Sequence, residues 1–291
     1  MGRLTGNQVG ALWMLASVVS FTAEAALIKS AGSDFTPVQI LFWRQAVAVA
    51  LLAPLVLRAP RATLSTSLPG TIIFRSVIGV LGIVMSITAI SLLPLADATT
   101  LSFTRVLWIA LIAALVMKEA MGPRRVLAVL LGFVGVAALM KPGADGFDVG
   151  WPHLIALGAA LFAALSILSV KRLTRDHSVL TITAYGAGLG LILSLPFVVT
   201  DFRWPEWHQL PVLLGLGAAG LCTLVCYTRG MQLGEAVVMA PIDYLRLVLA
   251  AGVGLMIFGE PLTLWLAAGA GFIVISNLLL SGPLSGKKTT P

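Results

Sequence analysis

Charged side chains interrupt long apolar stretches of this sequence at several points, where an uncompensated charge is costly. Two of them, Arg105 and Arg246, lie near the middle of such stretches. A guanidinium binds a carboxylate through two parallel hydrogen bonds, so this pair is a candidate to bind the carboxylate of a small molecule. The alternative is structural, because each arginine could instead form an internal ion pair or contact backbone carbonyls at a helix end.

Two carboxylates and a third arginine have the same two interpretations. Glu24 and Arg44 lie at matching depths in neighbouring apolar stretches, which predicts a salt bridge between them. Asp243 precedes Arg246 by three residues, so the two can pair along one helix face. If unpaired, Glu24 becomes a candidate for an amine contact or for proton coupling, and Asp243 for an amine contact. Arg75, close to the end of its stretch, is expected to extend to water.

Aromatic side chains near these charges are candidates for the walls of a binding pocket. Trp108 follows Arg105 by about one helical turn, Tyr244 directly follows Asp243, and Tyr185 lies in another apolar stretch. Each could instead pack between helices, and the residue types do not choose between the two interpretations.

Metal and covalent chemistry find little support in the sequence. Cys222 and Cys226 are one helical turn apart without a nearby His or Asp, which does not predict a metal site. The three histidines lie in predicted connections or at their edges, and the sequence contains no GxxxxGK[ST], HExxH or GxSxG motif. We therefore expect no metal, no cofactor, no enzymatic activity and no ATP-driven step.

The overall composition indicates what kind of protein positions these residues. Of the 291 residues, 58% are hydrophobic and 11% are charged, and the mean hydropathy is +1.00, whereas soluble domains are about 25% charged. A soluble protein of this size cannot cover its surface with so few charges. The composition excludes a soluble enzyme, a secreted disulfide-rich protein and a disordered regulator. It indicates an all-α polytopic membrane protein.

The apolar stretches are long enough to be transmembrane helices. A helix needs about 20 apolar residues to cross the roughly 30 Å hydrocarbon layer. Ten stretches meet or approach this length, and prolines lie at most of their proposed ends. The ten predicted helices cover residues 8–29, 37–57, 70–92, 96–117, 125–140, 152–170, 179–199, 209–230, 235–258 and 262–281.

The distribution of Lys and Arg predicts the orientation. If the N-terminus is cytoplasmic, 12 of the 19 Lys and Arg residues fall on the inner side, three on the outer side and four within helices. Positive charge is concentrated on the cytoplasmic side of membrane proteins, so both termini are expected to be cytoplasmic. The same bias explains the net charge of +7 without a nucleic-acid partner.

The second half of the sequence repeats the first. Each half has five predicted helices, an odd number, so the halves must enter the membrane from opposite sides. This predicts two inverted five-helix repeats, residues 1–143 and 144–291. The matching residues, at a shift of 141 or 142 positions, are Lys29 with Lys171, Pro54 with Pro196, Arg105 with Arg246, and Glu119 with Glu260.

Motifs in both halves carry a resemblance to a known family. They are residues 92–101 (LLPLADATTL), 118–119 (KE), 132–136 (GFVGV), 233–236 (LGEA), 240–247 (APIDYLRL), 258–261 (FGEP) and 269–271 (GAG). In a five-plus-five repeat, these motifs resemble the drug/metabolite transporter (DMT) superfamily, EamA family, over nearly the whole chain. Many relatives have proline where this sequence has Arg105, so the resemblance implies a cavity more basic than usual.

The residues and the resemblance together predict a secondary transporter that works by alternating access. Paired cationic groups with Glu24 and Asp243 suit amino acids or amino-acid-derived zwitterions and carboxylates, and the resemblance implies export across the bacterial inner (plasma) membrane. The alternatives are an importer of a vitamin or nucleoside-type metabolite, such as riboflavin or S-adenosylmethionine, and a non-transporting membrane scaffold. The expected partners are a small-molecule substrate and membrane lipid, for a monomer or a homodimer.

Overall fold

Thirteen helices make up the secondary structure of the part of the chain that the structure describes, and that part contains no strand. The structure, a computed structural model, describes residues 6–66, 68–115, 122–140, 150–173, 177–199 and 202–281. The predicted all-helical class is confirmed for these residues. The helices are α1 (Gly6–Ala31), α2 (Pro37–Arg58), α3 (Pro60–Leu64), α4 (Pro69–Leu92), α5 (Leu95–Ser102), α6 (Arg105–Leu115), α7 (Pro123–Leu139), α8 (Trp151–Leu173), α9 (Val179–Val199), α10 (Leu210–Leu233), α11 (Ala236–Asp243), α12 (Leu245–Phe258) and α13 (Leu264–Ser281).

Several stretches of the described residues are helical, long and apolar enough to cross a membrane. Eight such stretches occur among the described residues, and Leu264–Leu280 is apolar but shorter. Large apolar side chains face outward from the bundle, among them Phe197, Met256 and Leu264, which are 69%, 86% and 88% exposed. Such surfaces suit lipid rather than water. The chain is therefore a multi-pass helical membrane protein, and the count of ten spans stays a prediction.

Proline, threonine and glycine set the ends of several helices, and the prolines lie where the sequence predicts helix ends. Pro69 and Pro123 are the first residues of α4 and α7, where a missing N–H is harmless. The Thr36 hydroxyl accepts a hydrogen bond from Gln39 N at 3.4 Å and caps α2. Gly259 ends α12 with a φ of 66°, a left-handed conformation that glycine adopts without strain.

Two predicted spans are broken in their middle, where continuous helices were expected. The predicted span 96–117 divides after Ser102 into α5 and α6. The predicted span 235–258 divides at Tyr244 into α11 and α12. Periodicity and hydropathy do not reveal such breaks, because the residues on both sides of each break are apolar and helix-compatible.

The two breaks have the same hydrogen-bond geometry. Val106 N donates to Phe103 O at 3.2 Å, and Leu247 N donates to Tyr244 O at 3.0 Å, each spanning three residues rather than four. The Asn277 amide of α13 donates to Phe103 O at 3.3 Å, so another helix supplies a partner to a carbonyl at the break. Both breaks are thus tightened turns of a helix, and the first is stabilised from outside.

Local chemistry explains why the helices break at these positions. The Thr104 hydroxyl donates to Leu101 O at 2.6 Å, which competes with the backbone hydrogen bonds of the helix. In the second span, Pro241 lies in the last turn of α11 and has no N–H to donate. Arg105 is the first residue of α6 and Arg246 the second residue of α12, so each break positions one of the two central arginines.

Most long helices pack against a helix from the other half of the chain: α1 with α10, α4 with α8, α2 with α9, and α7 with α13. Small residues permit the closest approaches. A Cβ on Gly10 of α1 would lie 2.8 Å from Gly234 N, and a Cβ on Gly135 of α7 would lie 2.8 Å from Gly269 O of α13. The two halves therefore interlock across the bundle instead of forming separate domains.

Candidate functional site

A cavity of about 590 Å³ lies between α1, α2, α4, α8, α9 and α10. Most of its lining is small or apolar, with alanine, glycine and isoleucine predominating. Within the described part of the chain, four guanidinium groups and one carboxylate line it, those of Arg44, Arg75, Arg105, Arg246 and Glu24. Four of the eight residues predicted from sequence, Arg105, Arg246, Glu24 and Arg44, thus share one cavity.

Asp243 connects the two central arginines. Arg105 Nη2 donates to Asp243 Oδ2 at 3.2 Å across the two halves of the chain. Arg246 Nε lies 2.7 Å from Asp243 Oδ1, at an angle that makes the contact an ion pair rather than a hydrogen bond. Asp243 and Arg246 are each only 6% exposed. The expected pairing of Asp243 with Arg246 is present. Because Arg105 shares the same carboxylate, the three side chains together carry one surplus positive charge.

Arg246 is further held by groups from α1 and α10. Its Nη2 donates to the Ser17 hydroxyl at 2.9 Å. Its guanidinium carbon lies 4.6 Å from the centroid of the Phe21 ring and 5.5 Å from that of the Tyr227 ring. Both distances are in the range of cation–π contacts, and both rings line the cavity. The guanidinium therefore has a defined position against an aromatic wall.

Arg105 is held from its own side of the cavity. Its Nη1 donates to Ser102 O at 3.3 Å, at the C-terminal end of α5. Its guanidinium carbon lies 4.9 Å from the centroid of the Phe103 ring. A positive charge is favourable at a helix C-terminus, so the break that ends α5 stabilises this side chain in the membrane interior.

The predicted salt bridge between Glu24 and Arg44 is present. Arg44 Nε donates to Glu24 Oε1 at 2.7 Å, and Arg44 Nη1 donates to Gln45 Oε1 at 3.4 Å. Gly220 of α10 faces this pair: a Cβ there would lie 2.6 Å from Glu24 Oε1 and 2.9 Å from Arg44 Nη2. The pair occupies the space that a side chain at position 220 would need.

Gly220→Ala is expected to displace the Glu24–Arg44 pair, because real Cβ atoms do not approach polar atoms so closely. We expect an activity loss of about tenfold and a destabilisation of about 1–3 kcal/mol, the usual range for overpacking. The matched control is Gly188→Ala in α9, where an added Cβ meets nothing within 4 Å. Thermal unfolding of both purified variants in detergent would test this; equal midpoints would contradict the assignment of a tight site at Gly220.

Four residues predicted as site candidates lie outside the cavity lining that the structure describes: Asp243, which pairs with two arginines of the lining, and three aromatic residues. The Tyr244 ring packs on Phe103, with centroids 5.2 Å apart, and Trp108 packs edge-on against Phe133 at 6.0 Å. Tyr185 packs beside an apolar cluster formed by Ile72, Leu173 and Ile182. All three take the packing role that the sequence analysis gave as the alternative.

Several lining residues were missed or assigned elsewhere by sequence reasoning. Arg75, expected to extend to water, instead lines the cavity and donates Nη1 to Ile182 O of α9 at 3.4 Å. The adjacent Ser76 and the Gln45 amide line it as well. Isolated small polar residues in an apolar helix were the available signal, but their spacing does not reveal which face of the helix is covered by a neighbour.

An ion pair between the halves lies beyond the cavity at the end of α1. Lys29 pairs with the Glu260 carboxylate and donates Nζ to Leu93 O at 2.7 Å. Glu260 Oε2 accepts a hydrogen bond from Leu95 N, the first residue of α5, at 2.7 Å. Glu260 therefore caps the N-terminal end of α5. Its counterpart in the repeat, Glu119, lies outside the described residues.

The arrangement is suited to binding an anion rather than to metal or covalent chemistry. Among the residues that the structure describes, no group of three or more His, Cys, Asp or Glu side chains is placed to hold a metal ion. Cys222 and Cys226 are free thiols with their sulfur atoms 3.6 Å apart. Buried guanidinium groups with unused N–H donors, facing a cavity, attract carboxylates or phosphates.

Comparison with known families decides what kind of protein holds this cavity. The model of the EamA-like transporter family matches residues 8–141 and again residues 150–282. The chain belongs to the EamA-like transporter family. This confirms the resemblance to the DMT superfamily, and it makes the chain a transporter and not an enzyme.

Curated relatives of this EamA-like transporter differ in the molecules for which they are named. The S-adenosylmethionine uptake transporter of Rickettsia bellii is 28% identical over 87% of this chain and 86% of its own length. The pseudopaline exporter CntI of Pseudomonas aeruginosa is 30% identical over 94% of this chain and 96% of its own. The riboflavin transporter of Brucella anthropi is 27% identical over 95% of this chain and 100% of its own.

A solved structure supports the fold. A chain described only as the crystal structure of a protein superposes on this EamA-like transporter with a TM-score of 0.65, over 94% of this chain and 96% of that chain. The sequence identity is 18%, so this likeness concerns the fold alone.

Proposed function

We propose that this protein is a secondary transporter of small carboxylate-bearing metabolites, such as amino acids or amino-acid-derived zwitterions, and that Arg105 and Arg246 bind the substrate carboxylate. The observation that carries the proposal is the charge of the cavity. Two guanidinium groups share the single carboxylate of Asp243, and Arg44 is already matched by Glu24. A substrate carboxylate would neutralise the surplus charge and use the remaining N–H donors.

In this proposal Asp243 and Glu24 act as positioning residues. Asp243 holds two arginines from different halves at one place, and Glu24 orients Arg44. Both carboxylates are engaged by guanidinium groups, so an amine of the substrate would have to compete with an arginine for them. The cavity therefore favours the carboxylate end of a zwitterion as the main point of recognition.

Alternating access in this proposal follows from two inverted five-helix repeats, residues 1–143 and 144–291, with ten spans. Three observations support the repeat. The family model matches twice, beginning at residues 8 and 150. The broken helices have equivalent bonds, from Val106 to Phe103 and from Leu247 to Tyr244, 141 positions apart. The packing is also symmetric. In the repeat, α8 corresponds to α1 and α10 corresponds to α4, and α1 packs against α10 as α8 packs against α4.

We further propose a bacterial inner-membrane location with both termini in the cytoplasm and transport in the direction of export. The distribution of Lys and Arg supports the orientation. The similarity to the pseudopaline exporter over nearly the full length supports export. In this orientation the Lys29–Glu260 pair closes the outer end of the bundle, and it would have to separate when the cavity opens outward.

A second candidate substrate is a planar ring system, as in the importers named for riboflavin or S-adenosylmethionine. The observation that favours it is the aromatic wall of the cavity, where Phe21 and Tyr227 flank Arg246. A flat heterocycle could stack on these rings. The surplus of guanidinium groups makes this candidate second, because riboflavin carries no carboxylate and the carboxylate of S-adenosylmethionine is accompanied by a sulfonium cation.

Counterflow in proteoliposomes tests the proposed function. Vesicles containing the purified protein would be loaded with unlabelled amino acids, multi-carboxylate amino-acid derivatives, riboflavin or S-adenosylmethionine, and uptake of the labelled form measured. We expect saturable counterflow with a carboxylate-bearing substrate and little with riboflavin. Counterflow with riboflavin alone would select the second candidate, and saturable flux with none of them would favour a non-transporting scaffold.

A further inference from the structure

Guanidinium groups outnumber carboxylates at two separate places in the cavity. Near Asp243, two guanidinium groups share one carboxylate. The second place is Arg75 of α4, which also lines the cavity. Within the described part of the chain, no carboxylate lies within 4 Å of Arg75. The other three arginines of the lining each have one.

Arg75 has hydrogen-bonding capacity to spare. It donates one long hydrogen bond, from Nη1 to the Ile182 carbonyl at 3.4 Å. Its Nε is buried without a hydrogen-bond partner among the described residues. A Cβ on Gly186 of α9 would lie 3.1 Å from Nη1, so the glycine leaves the guanidinium room beside the cavity. Arg75 is half-buried, so its charge lacks the compensation that guanidinium groups withdrawn from water normally have.

Ser76 adds a second donor at the same place. It is 2% exposed and lines the cavity, and its hydroxyl has no hydrogen-bond partner within the described residues. Buried hydroxyls in native structures are nearly always paired with protein or with ordered water. A guanidinium with one long hydrogen bond and a hydroxyl without a partner, on adjacent residues of the cavity lining, are together suited to bind one anionic group.

The two places of surplus charge lie at different depths. Arg75 precedes Leu92, the end of α4, by 17 residues, or about 25 Å along the helix. Arg105 follows Leu95, the start of α5 at the same end of the bundle, by ten residues, or about 15 Å. The Cα atoms of the two residues are therefore offset by roughly 10 Å along the bundle, a length that a substrate of several bonds can bridge.

We propose that Arg75 and Ser76 form a second anion-binding position, so that the transported molecule carries two separated anionic groups. One carboxylate binds at Arg105 and Arg246, and the second anionic group, a carboxylate or a phosphate, binds at Arg75. This inference rests on the proposed function, because it takes Arg105 and Arg246 as the first position. It narrows the substrate class from carboxylates in general to dianions.

Matched pairs of acids test the second position in the detergent-solubilised full-length protein. Binding of succinate, glutarate and adipate would be compared by titration calorimetry with that of butyrate, valerate and hexanoate, and O-phosphoserine with serine. We expect the wild type to bind at least one dianion about tenfold or more tightly than its matched monoanion. Arg75→Gln is expected to remove this preference without changing monoanion binding, because a charge-assisted bond is lost only for the second group.

Two further variants keep the test independent of folding. Ser76→Ala is expected to weaken dianion binding several-fold, and Arg75→Lys to retain part of the preference, since it keeps the charge. Arg229→Gln, at an exposed position of α10, is the control and should leave the binding of both kinds of acid unchanged.

If Arg75→Gln leaves the preference for dianions intact, or weakens the binding of both acids alike, the second anion-binding position is wrong although the proposed function stands. If the wild type binds no carboxylate, the proposed function itself fails.

Discussion

Asp243→Asn is expected to abolish transport and to lower the thermal stability of the protein more than any other single substitution in the cavity. Asp243 is 6% exposed and is the shared counter-ion of Arg105 and Arg246. Without its charge, the buried guanidinium of Arg246 and the half-buried one of Arg105 are left uncompensated, and breaking a buried pair costs about 3–5 kcal/mol. Because asparagine keeps an oxygen acceptor of nearly the same shape, we expect the lower end of this range.

Thermal unfolding in detergent and counterflow in proteoliposomes measure the two effects of Asp243→Asn. The matched control is Glu206→Gln, which makes the same chemical change at a carboxylate whose side chain is 76% exposed and paired only with an exposed histidine. Exposed pairs contribute at most about 1 kcal/mol, so the control should behave as wild type. If Asp243→Asn and Glu206→Gln had the same melting midpoint, Asp243 would not be the counter-ion that the geometry indicates.

Arg246→Gln is expected to reduce transport of a carboxylate substrate by about 100-fold or more while leaving the protein folded. Losing two charge-assisted hydrogen bonds to the substrate costs roughly 3 kcal/mol or more, which corresponds to that factor. Folding is expected to survive, because Asp243 keeps Arg105 as a partner at 3.2 Å. Arg229→Gln, the same change at an exposed position of α10, is the control for the loss of one charge.

A double variant separates the structural from the substrate-binding role of Arg246. In Asp243→Asn/Arg246→Gln both members of the ion pair are neutral, so the double variant should be more stable than Asp243→Asn alone. Its transport should remain as low as that of Arg246→Gln, because the substrate has lost its guanidinium. Wild-type flux in Arg246→Gln, with carboxylate binding unchanged, would give Arg246 a purely structural role.

The architecture could be predicted from the sequence to the extent that it depends on local composition. Apolar runs of about 20 residues lower their free energy as helices in lipid, whatever lies next to them, so the helical class and most of the boundaries followed directly. Prolines then marked ends such as Pro69 and Pro123. The family also followed, because its motifs are carried by the residues themselves.

The breaks at Phe103 and Tyr244 could not be predicted in the same way. A break becomes tolerable only when another group satisfies the backbone atoms it frees, and at Phe103 part of that role belongs to Asn277, 174 residues away. A prediction made from a short stretch of sequence cannot include both Phe103 and Asn277. Yet these breaks determine where Arg105 and Arg246 are held.

By itself, the sequence determined which charges lie inside the membrane and which local pairs they can form. Arg105, Arg246, Glu24 and Arg44 were identified because a charge in an apolar helix is costly and therefore noticeable, and the depths of Glu24 and Arg44 were enough to pair them. Only the tertiary structure decided which of these groups face one cavity. It joined Arg105 to Asp243, turned Arg75 inward and left Trp108 in a packing contact. The physical reason is that the direction of a side chain depends on which helix covers each face, and that is settled by packing between distant segments.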